Sequence, residues 1–289
     1  MAIFNLGSIN IDHIYTMPHL VEPGETLAAS SYEAALGGKG ANQSIAIARA
    51  GGAVFHAGMI NTRDERWLAP MMEAGVNIDH VILGEVPSGH AIVAVDEGSA
   101  ENQIILAPLS NASLPEKLIA DFLGNAGEGG WALTQNETNL AAPFLKEARA
   151  KGLYICYSAA PFVAEVTAEL LPLVDLLIVN AVEAEALSAH FDTAPEELGI
   201  KHLIITLGKQ GSRYIGVEGE FTVPALPVKA VDTTGAGDTY LGYVLAMLDG
   251  GASMEDAMRV ASQAAAIQVT RPGASAAIPT RAELSQHFS

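Results

Sequence analysis

Residues 231–240 read VDTTGAGDTY: two glycines flank Ala236, an aspartate follows at Asp238, and the apolar run YLGYVLAML continues behind it. Glycine adopts backbone angles closed to other residues, so Gly235 and Gly237 let successive N–H groups point into one concavity. A helix starting there adds the positive end of its dipole, worth about 0.3–1 kcal/mol per neighbouring anion. Such a cradle suits the developing charge of a phosphoryl group. Asp238 would repel that group as a mere neighbour, but not if it takes a proton from a substrate hydroxyl while the N–H groups hold the phosphoryl oxygens. That division of labour is what phosphoryl transfer requires. The other role open to Asp238 is a plain helix cap.

Near the front stand GSINIDH (7–13) and GGKGAN (37–42). Asp12 can accept two charge-assisted hydrogen bonds from a vicinal diol, each worth roughly 1.5–3 kcal/mol. Asn10, Lys39 and Asn42 add donors and acceptors, while Gly38 and Gly40 let the backbone approach a sugar closely. A strand end and a turn into a helix are the bland alternatives. No G-x-x-x-x-G-K-[ST] stretch occurs, which excludes a P-loop mechanism. The eight histidines form no His-x-x-His or His/Cys cluster, so zinc has little support.

These residues need a scaffold, and the chain reads as α/β. Apolar runs at 2–7, 53–59, 131–134, 153–157, 175–180 and 203–208 are too continuous for half-exposed strands and predict strands buried on both faces of a largely parallel sheet. The N-terminus through His13 reads as a first strand. Helices fall between them: GKGANQSIAIARAGG stops at Gly51–Gly52, and Ser253 to Asp256 opens a helix that must end before Pro272. Segments 26–34, 89–96 and 102–109 look like β-rich material set around the first helices, a lid over a cleft or a sheet extension.

Length and charge bound the partners. A chain of 289 residues buries roughly three quarters of its unfolded surface, enough for a full core. A net charge of −18 argues against nucleic acid and anionic membrane surfaces. The one cysteine, Cys156, sits in an apolar run and predicts a buried thiol in a reducing cytoplasm. The N-terminus carries no basic leader and reads as neither signal peptide nor membrane span.

The run 231–240 together with GGKGAN and GSINIDH resembles the ribokinase family of carbohydrate kinases from about residue 3 to about residue 280, and fits its namesake members better than its distant ones. The resemblance implies one domain, 1–289, with a three-layer α/β/α core, a mostly parallel sheet, and a small β lid from about 26–36 and 89–109. It makes Asp238 the catalytic base and Gly235, Ala236 and Gly237 the anion hole. Asn10, Asp12, Gly38, Lys39, Gly40, Asn42 and Glu137 would hold the sugar. Asn180, Thr206, Gly208, Gly211 and Ser262 would line the nucleotide, and Glu183 would hold Mg²⁺ through water. The implied monovalent-cation site comprises Asp232, Thr234, Gln268, Arg271 and Gly273, mostly through main-chain carbonyls. Its last oxygen ligand, a serine hydroxyl, falls on Ala277, which leaves potassium activation open.

Two further departures are the bulkier, more basic stretch 61–70, with Arg63, Arg66 and Trp67, and a connection between Ala189 and Lys201 shorter by about one helix. The implied activity is ATP-dependent phosphorylation of a primary hydroxyl of a pentose, ribose first. A kinase for another furanose-like sugar or a nucleoside, and a non-catalytic sugar or nucleotide sensor, stay open. A homodimer through the lid is also implied.

Overall fold

The structure, a computed structural model, describes residues 1–99 and 101–288. Position 100, inside the expected 89–109 segment, and position 289 lie outside the described residues. In chain order the strands are β1 (Ile3–Leu6), β2 (Asn10–Met17), β3 (Ser31–Gly37), β4 (Val54–Asn61), β5 (Asn77–Gly84), β6 (Gly89–Asp96), β7 (Asn102–Ala107), β8 (Trp131–Gln135), β9 (Tyr154–Ser158), β10 (Leu176–Asn180), β11 (His202–Thr206), β12 (Ser212–Gly216) and β13 (Gly219–Val223). The helices are α1 (Lys39–Arg49), α2 (Ala69–Ala74), α3 (Lys117–Phe122), α4 (Ala141–Ala150), α5 (Ala164–Leu170), α6 (Ala181–Phe191), α7 (Ala236–Asp249), α8 (Met254–Gln268) and α9 (Arg281–His287).

Each of the six continuous apolar runs is a strand of one nine-stranded sheet, ordered β13-β12-β11-β10-β9-β8-β1-β4-β5. All its pairings are parallel except those of the β12–β13 hairpin, which joins β11 antiparallel at one edge. Continuous hydrophobicity is what two covered faces demand. Ile3, Leu133, Ile178 and Ile204 pack on one face against Ile45, Tyr243 and Ala261 of α1, α7 and α8. Phe4, Ala132, Ile155 and Leu203 pack on the other against Phe122, Phe144 and Leu187 of α3, α4 and α6. Each fully buried Leu, Ile or Phe side chain contributes about 1.5–3 kcal/mol. From β1 the chain first runs to β4 and β5, then returns to β8 and proceeds the other way. The carboxyl ends of β1 and β8 therefore flank a crevice at the switch point.

Four strands form a second sheet in the order β3-β2-β6-β7. Two details differ from the sequence reading. The N-terminus is not one strand: after Leu6 the chain turns, and Asn10–Met17 enters the second sheet as its partner to β3 and β6. The strand expected from residue 26 begins only at Ser31, the residues before it being a turn and irregular chain. The α6-to-β11 connection is a single short 3₁₀ turn, Pro195–Glu197, after a left-handed cap at Asp192. Among the described residues no helix is long and apolar enough to cross a membrane.

Candidate active site

Asp238 lies in the first turn of α7, and two amides of α1 hold it. Gln43 Nε2 donates to its Oδ1 at 2.9 Å and Asn42 Nδ2 to its Oδ2 at 3.2 Å. Behind Gln43 stretches a buried polar chain. Gln135 Nε2 donates to Gln43 Oε1 at 2.7 Å and to Asn5 Oδ1 at 3.0 Å; Asn5 Nδ2 donates to Ser44 Oγ at 2.8 Å; and Ser44 Oγ meets His56 Nδ1 at 2.9 Å. Burial pushes His56 down to about 4, so it is neutral. Such a buried network fixes the orientation of its members in a low-dielectric interior, although Gln135 Oε1 and His56 Nε2 have no partner among the described residues.

Gly235 caps α7 in the left-handed region with φ 74°. Gly237 differs from the sequence reading: it is helical, and a Cβ added there would meet nothing within 4 Å. Its use is open space, not conformational freedom. The Ala236 N–H is turned to Thr233 O at 3.2 Å, which reduces its share in any anion hole.

On the other side of the crevice, β2 alternates so that Asn10 and Asp12 share a face. Glu137, just past β8, accepts from Ser8 Oγ and, at 3.1 Å, from the Lys39 N–H. The Lys39 ammonium is raised, chiefly by Asp238 and further by Glu137, Glu183 and Asp12, with burial opposing, so it stays charged among four carboxylates. Burial raises the Glu137 carboxyl, and pushes Asp12 up to about 6 with help from Glu137 and Asp238. Asp12 and Asp238 thus act on the same lysine across one crevice.

A cavity of about 220 Å³ is lined by Asn10, Leu106, Asn111, Glu137 and Thr138 among others; Asp12, Lys39 and Asp238 are not among its walls. Asn42 turns out to serve the Asp238 carboxylate with its nitrogen, while its buried Oδ1 has no partner among the described residues. The room left by Gly38 and Gly40 is taken by the chain itself: a Cβ at Gly40 would sit 2.4 Å from Ser8 N, and one at Gly38 2.9 Å from Asn10 N. A second cavity of about 300 Å³, at the opposite end of the sheet around Phe4, Phe55 and Phe122, contains none of the expected site residues.

On the β10–β11 side, Asn180 and Glu183 form a reciprocal cap of α6. Asn180 Oδ1 accepts from Glu183 N at 2.9 Å, and Glu183 Oε2 from Asn180 N at 2.8 Å. Burial raises the Glu183 carboxyl. Thr206 ends β11, Gly208 opens the following turn, and Gly211 closes it with φ 96°, where a Cβ would strike Val223 O. Ser262 is buried on α8. Asp232, Thr234, Gln268, Arg271 and Gly273 come together where the chain before α7 meets the chain after α8.

In the 61–70 stretch, Asn61 Oδ1 caps a 3₁₀ turn by accepting from Arg63 N at 3.0 Å, and the Arg66 guanidinium lies 5.6 Å over the Trp67 ring. It is a helix start whose arginines are exposed.

Sequence reasoning missed Ser8, Gln43, Asn111 and Gln135. Asn111 Nδ2 donates to Asn10 Oδ1 at 2.7 Å and its Oδ1 accepts from Ile9 N at 3.0 Å, tying the start of β2 to the cavity wall. Gln43 follows Asn42 directly and is one helical turn past Lys39, so helical spacing offered a signal; Asn111 offered none.

Comparison with known proteins concerns the chain as a whole. A family model described as pfkB family carbohydrate kinase matches residues 2–281. The ribokinase of Haemophilus influenzae is 35% identical over 96% of this chain and 95% of its own length. Ribokinase from Thermotoga maritima, a crystal structure, superimposes with a TM-score of 0.88 at 32% identity, covering 99% of this chain and 98% of that one. Arabidopsis thaliana ribokinase, solved with ribose and ATP, gives a TM-score of 0.84 at 25% identity over 100% of this chain and 99% of that one. These likenesses bear out the family resemblance and the implied fold class, a large mostly parallel sheet with helices and a smaller second sheet.

Proposed function

The chain belongs to the pfkB family of carbohydrate kinases, enzymes that move a phosphoryl group to an alcohol, and from that premise we propose that it converts ribose and ATP to ribose 5-phosphate and ADP. One observation carries the reading. The Asp238 carboxylate is gripped by two α1 amides beside an open glycine turn, and Lys39 on the same helix is raised by both Asp238 and Asp12.

In the proposed reaction Asp238 takes the proton of the primary hydroxyl. The hydroxyl oxygen then bonds to the γ-phosphorus as the bond to the β–γ bridging oxygen breaks, while the Gly235 to Gly237 amides and Lys39 stabilise the charge. Asp12 and Asn10 hold the sugar's secondary hydroxyls, with Glu137 fixing the Lys39 backbone. Asn180, Thr206, Gly208, Gly211 and Ser262 line the nucleotide. Glu183 keeps one oxygen outside its helix cap, a fit for Mg²⁺ held through water, and that ion would supply charge neutralisation on the β- and γ-phosphates.

The second sheet, with about 26–36 and 89–109, serves as a lid on a single domain, and two copies pair through it. Exposed Tyr32, Ile92 and Ile105, which share the face away from Asp12, support the pairing. The thiol of Cys156, buried and raised, suits the cytoplasm.

Product formation across pentoses, hexoses and nucleosides tests the substrate, and ribose is expected to give the highest kcat/KM. Asp238→Asn is expected to lower kcat by about 10²–10⁴-fold with the sugar KM little changed. Saturable sugar binding with no phosphorylated product from any candidate would overturn the reading in favour of a sensor.

A further inference from the structure

The residues expected to hold a monovalent cation beside the anion hole are already engaged with one another. Gln268 is fully buried, and its side-chain Nε2 donates to Ala274 O at 2.9 Å and Thr234 O at 3.1 Å, with Gly273 O at 3.4 Å sharing the same hydrogens. Its Oε1 accepts from Thr239 Oγ1 at 3.2 Å. That contact fixes which way the amide lies, since the reverse orientation would set an oxygen against three carbonyl oxygens. Two further expected ligands, the Asp232 carboxylate and Gln268 O, already accept hydrogen bonds. Asp232 Oδ1 accepts from Thr234 N at 2.9 Å and its Oδ2 from Gly273 N at 2.8 Å, while Gln268 O accepts from Arg271 N at 3.1 Å. Burial alone would raise the Asp232 carboxyl; donation from Thr234 and Gly273 outweighs it and holds the group low. The Arg271 guanidinium lies on Glu283 at 2.7 Å, and at the expected serine position Ala277 offers only a methyl group.

A cation needs carbonyl lone pairs aimed at it. Here the Thr234 and Gly273 oxygens are aimed at amide hydrogens, whose positive ends would repel a cation in the same ring. The set does not fit potassium. We propose that the Gln268 side-chain amide replaces the activating monovalent cation, acting as a built-in positioning residue that ties 232–235 to 273–274 and so holds the Gly235 turn, making this kinase independent of potassium. The tie also reaches α7 through Thr239, the residue after Asp238.

The proposal rests on the kinase reading, and the test separates the two. Phosphorylation of ribose is measured with a bulky organic cation as the sole counter-ion and then with increasing potassium, and melting temperature is followed in the same series. The expected result is that kcat/KM changes by less than about twofold and that potassium leaves the melting temperature where an equal concentration of the organic cation does. Gln268→Ala and the near-isosteric Gln268→Met are expected to lower kcat about tenfold or more in the absence of potassium. A wild-type activity that rises more than about tenfold with potassium, or a potassium-specific rise in wild-type melting temperature, would overturn the proposal. So would unaltered turnover in both variants. No product at any potassium concentration would instead remove the kinase reading, and the melting series would still decide the amide's role.

Discussion

In the proposed reaction Asp12 combines a hold on the sugar with a cost to the fold. Its carboxyl is pushed up to about 6, first by burial and then by Glu137 and Asp238, with Lys39 opposing. The folded chain therefore holds the neutral form better than the unfolded chain does. Ionisation destabilises the fold above about pH 6, and that penalty fades as pH falls from about 6 toward the unfolded value of about 4. Asp12→Asn should accordingly melt higher than wild type, with the widest gap above about pH 6, and a pH series of melting curves checks this. Sugar binding moves oppositely, because only the carboxylate accepts two hydroxyl hydrogen bonds. The ribose KM should be flat above neutrality and rise about tenfold per pH unit below about 6. A ribose KM left unchanged by Asp12→Ala would remove Asp12 from the sugar pocket. Asp12 and Asp238 were legible from the sequence because charge type and glycine spacing are local properties. Gln43 reaches Asp238 across 195 positions and Asn111 reaches Asn10 across 101, pairings that only the folded topology creates.

The α1–α7 contact decides whether Asp238, the base of the proposed reaction, is held. A Cβ at Gly242 would stand 2.4 Å from the Ala46 Cβ and 2.9 Å from Gln43 O. Glycine thus permits the close crossing that brings Asn42 and Gln43 onto Asp238. Gly242→Ala should part the helices at a cost of about 1–3 kcal/mol, seen as a lower melting temperature. It should also reduce kcat more than it raises the sugar KM, because the sugar grip lies on β2. An equal loss in both would show that the crossing supports the whole crevice. At this scale the six parallel strands were plain in the sequence because burial on two faces demands unbroken apolar runs. The separate course of β2 was not, since NIDHIYTM follows directly on β1 with only GSI between and its period carries no mark of a new sheet. The β12–β13 hairpin sits at an edge, where half-exposed strands leave a weaker pattern.

For the whole molecule, the second sheet presents two unlike faces. Asp12, Ala91 and Leu106 are neighbours in register, as are His13, Ile92 and Ile105 one step along, so the two sets point to opposite sides. Ile105 is 66% exposed and lies on the side away from Asp12. Ile105→Asp should convert a species of twice 30.1 kDa into one of 30.1 kDa in sedimentation while leaving sugar contacts in place. Wild type sedimenting only at 30.1 kDa would remove the dimer.

The crevice is assembled from two origins: Asn10, Asp12 and Leu106 come from the four-stranded sheet, whereas Asp238 and its amide supports belong to helices on the larger one. Under the proposed function, discrimination and reactivity are therefore modular. Exchanging the four-stranded sheet between relatives is a route to retuning which polyol is accepted while the phosphoryl-transfer apparatus is inherited unchanged.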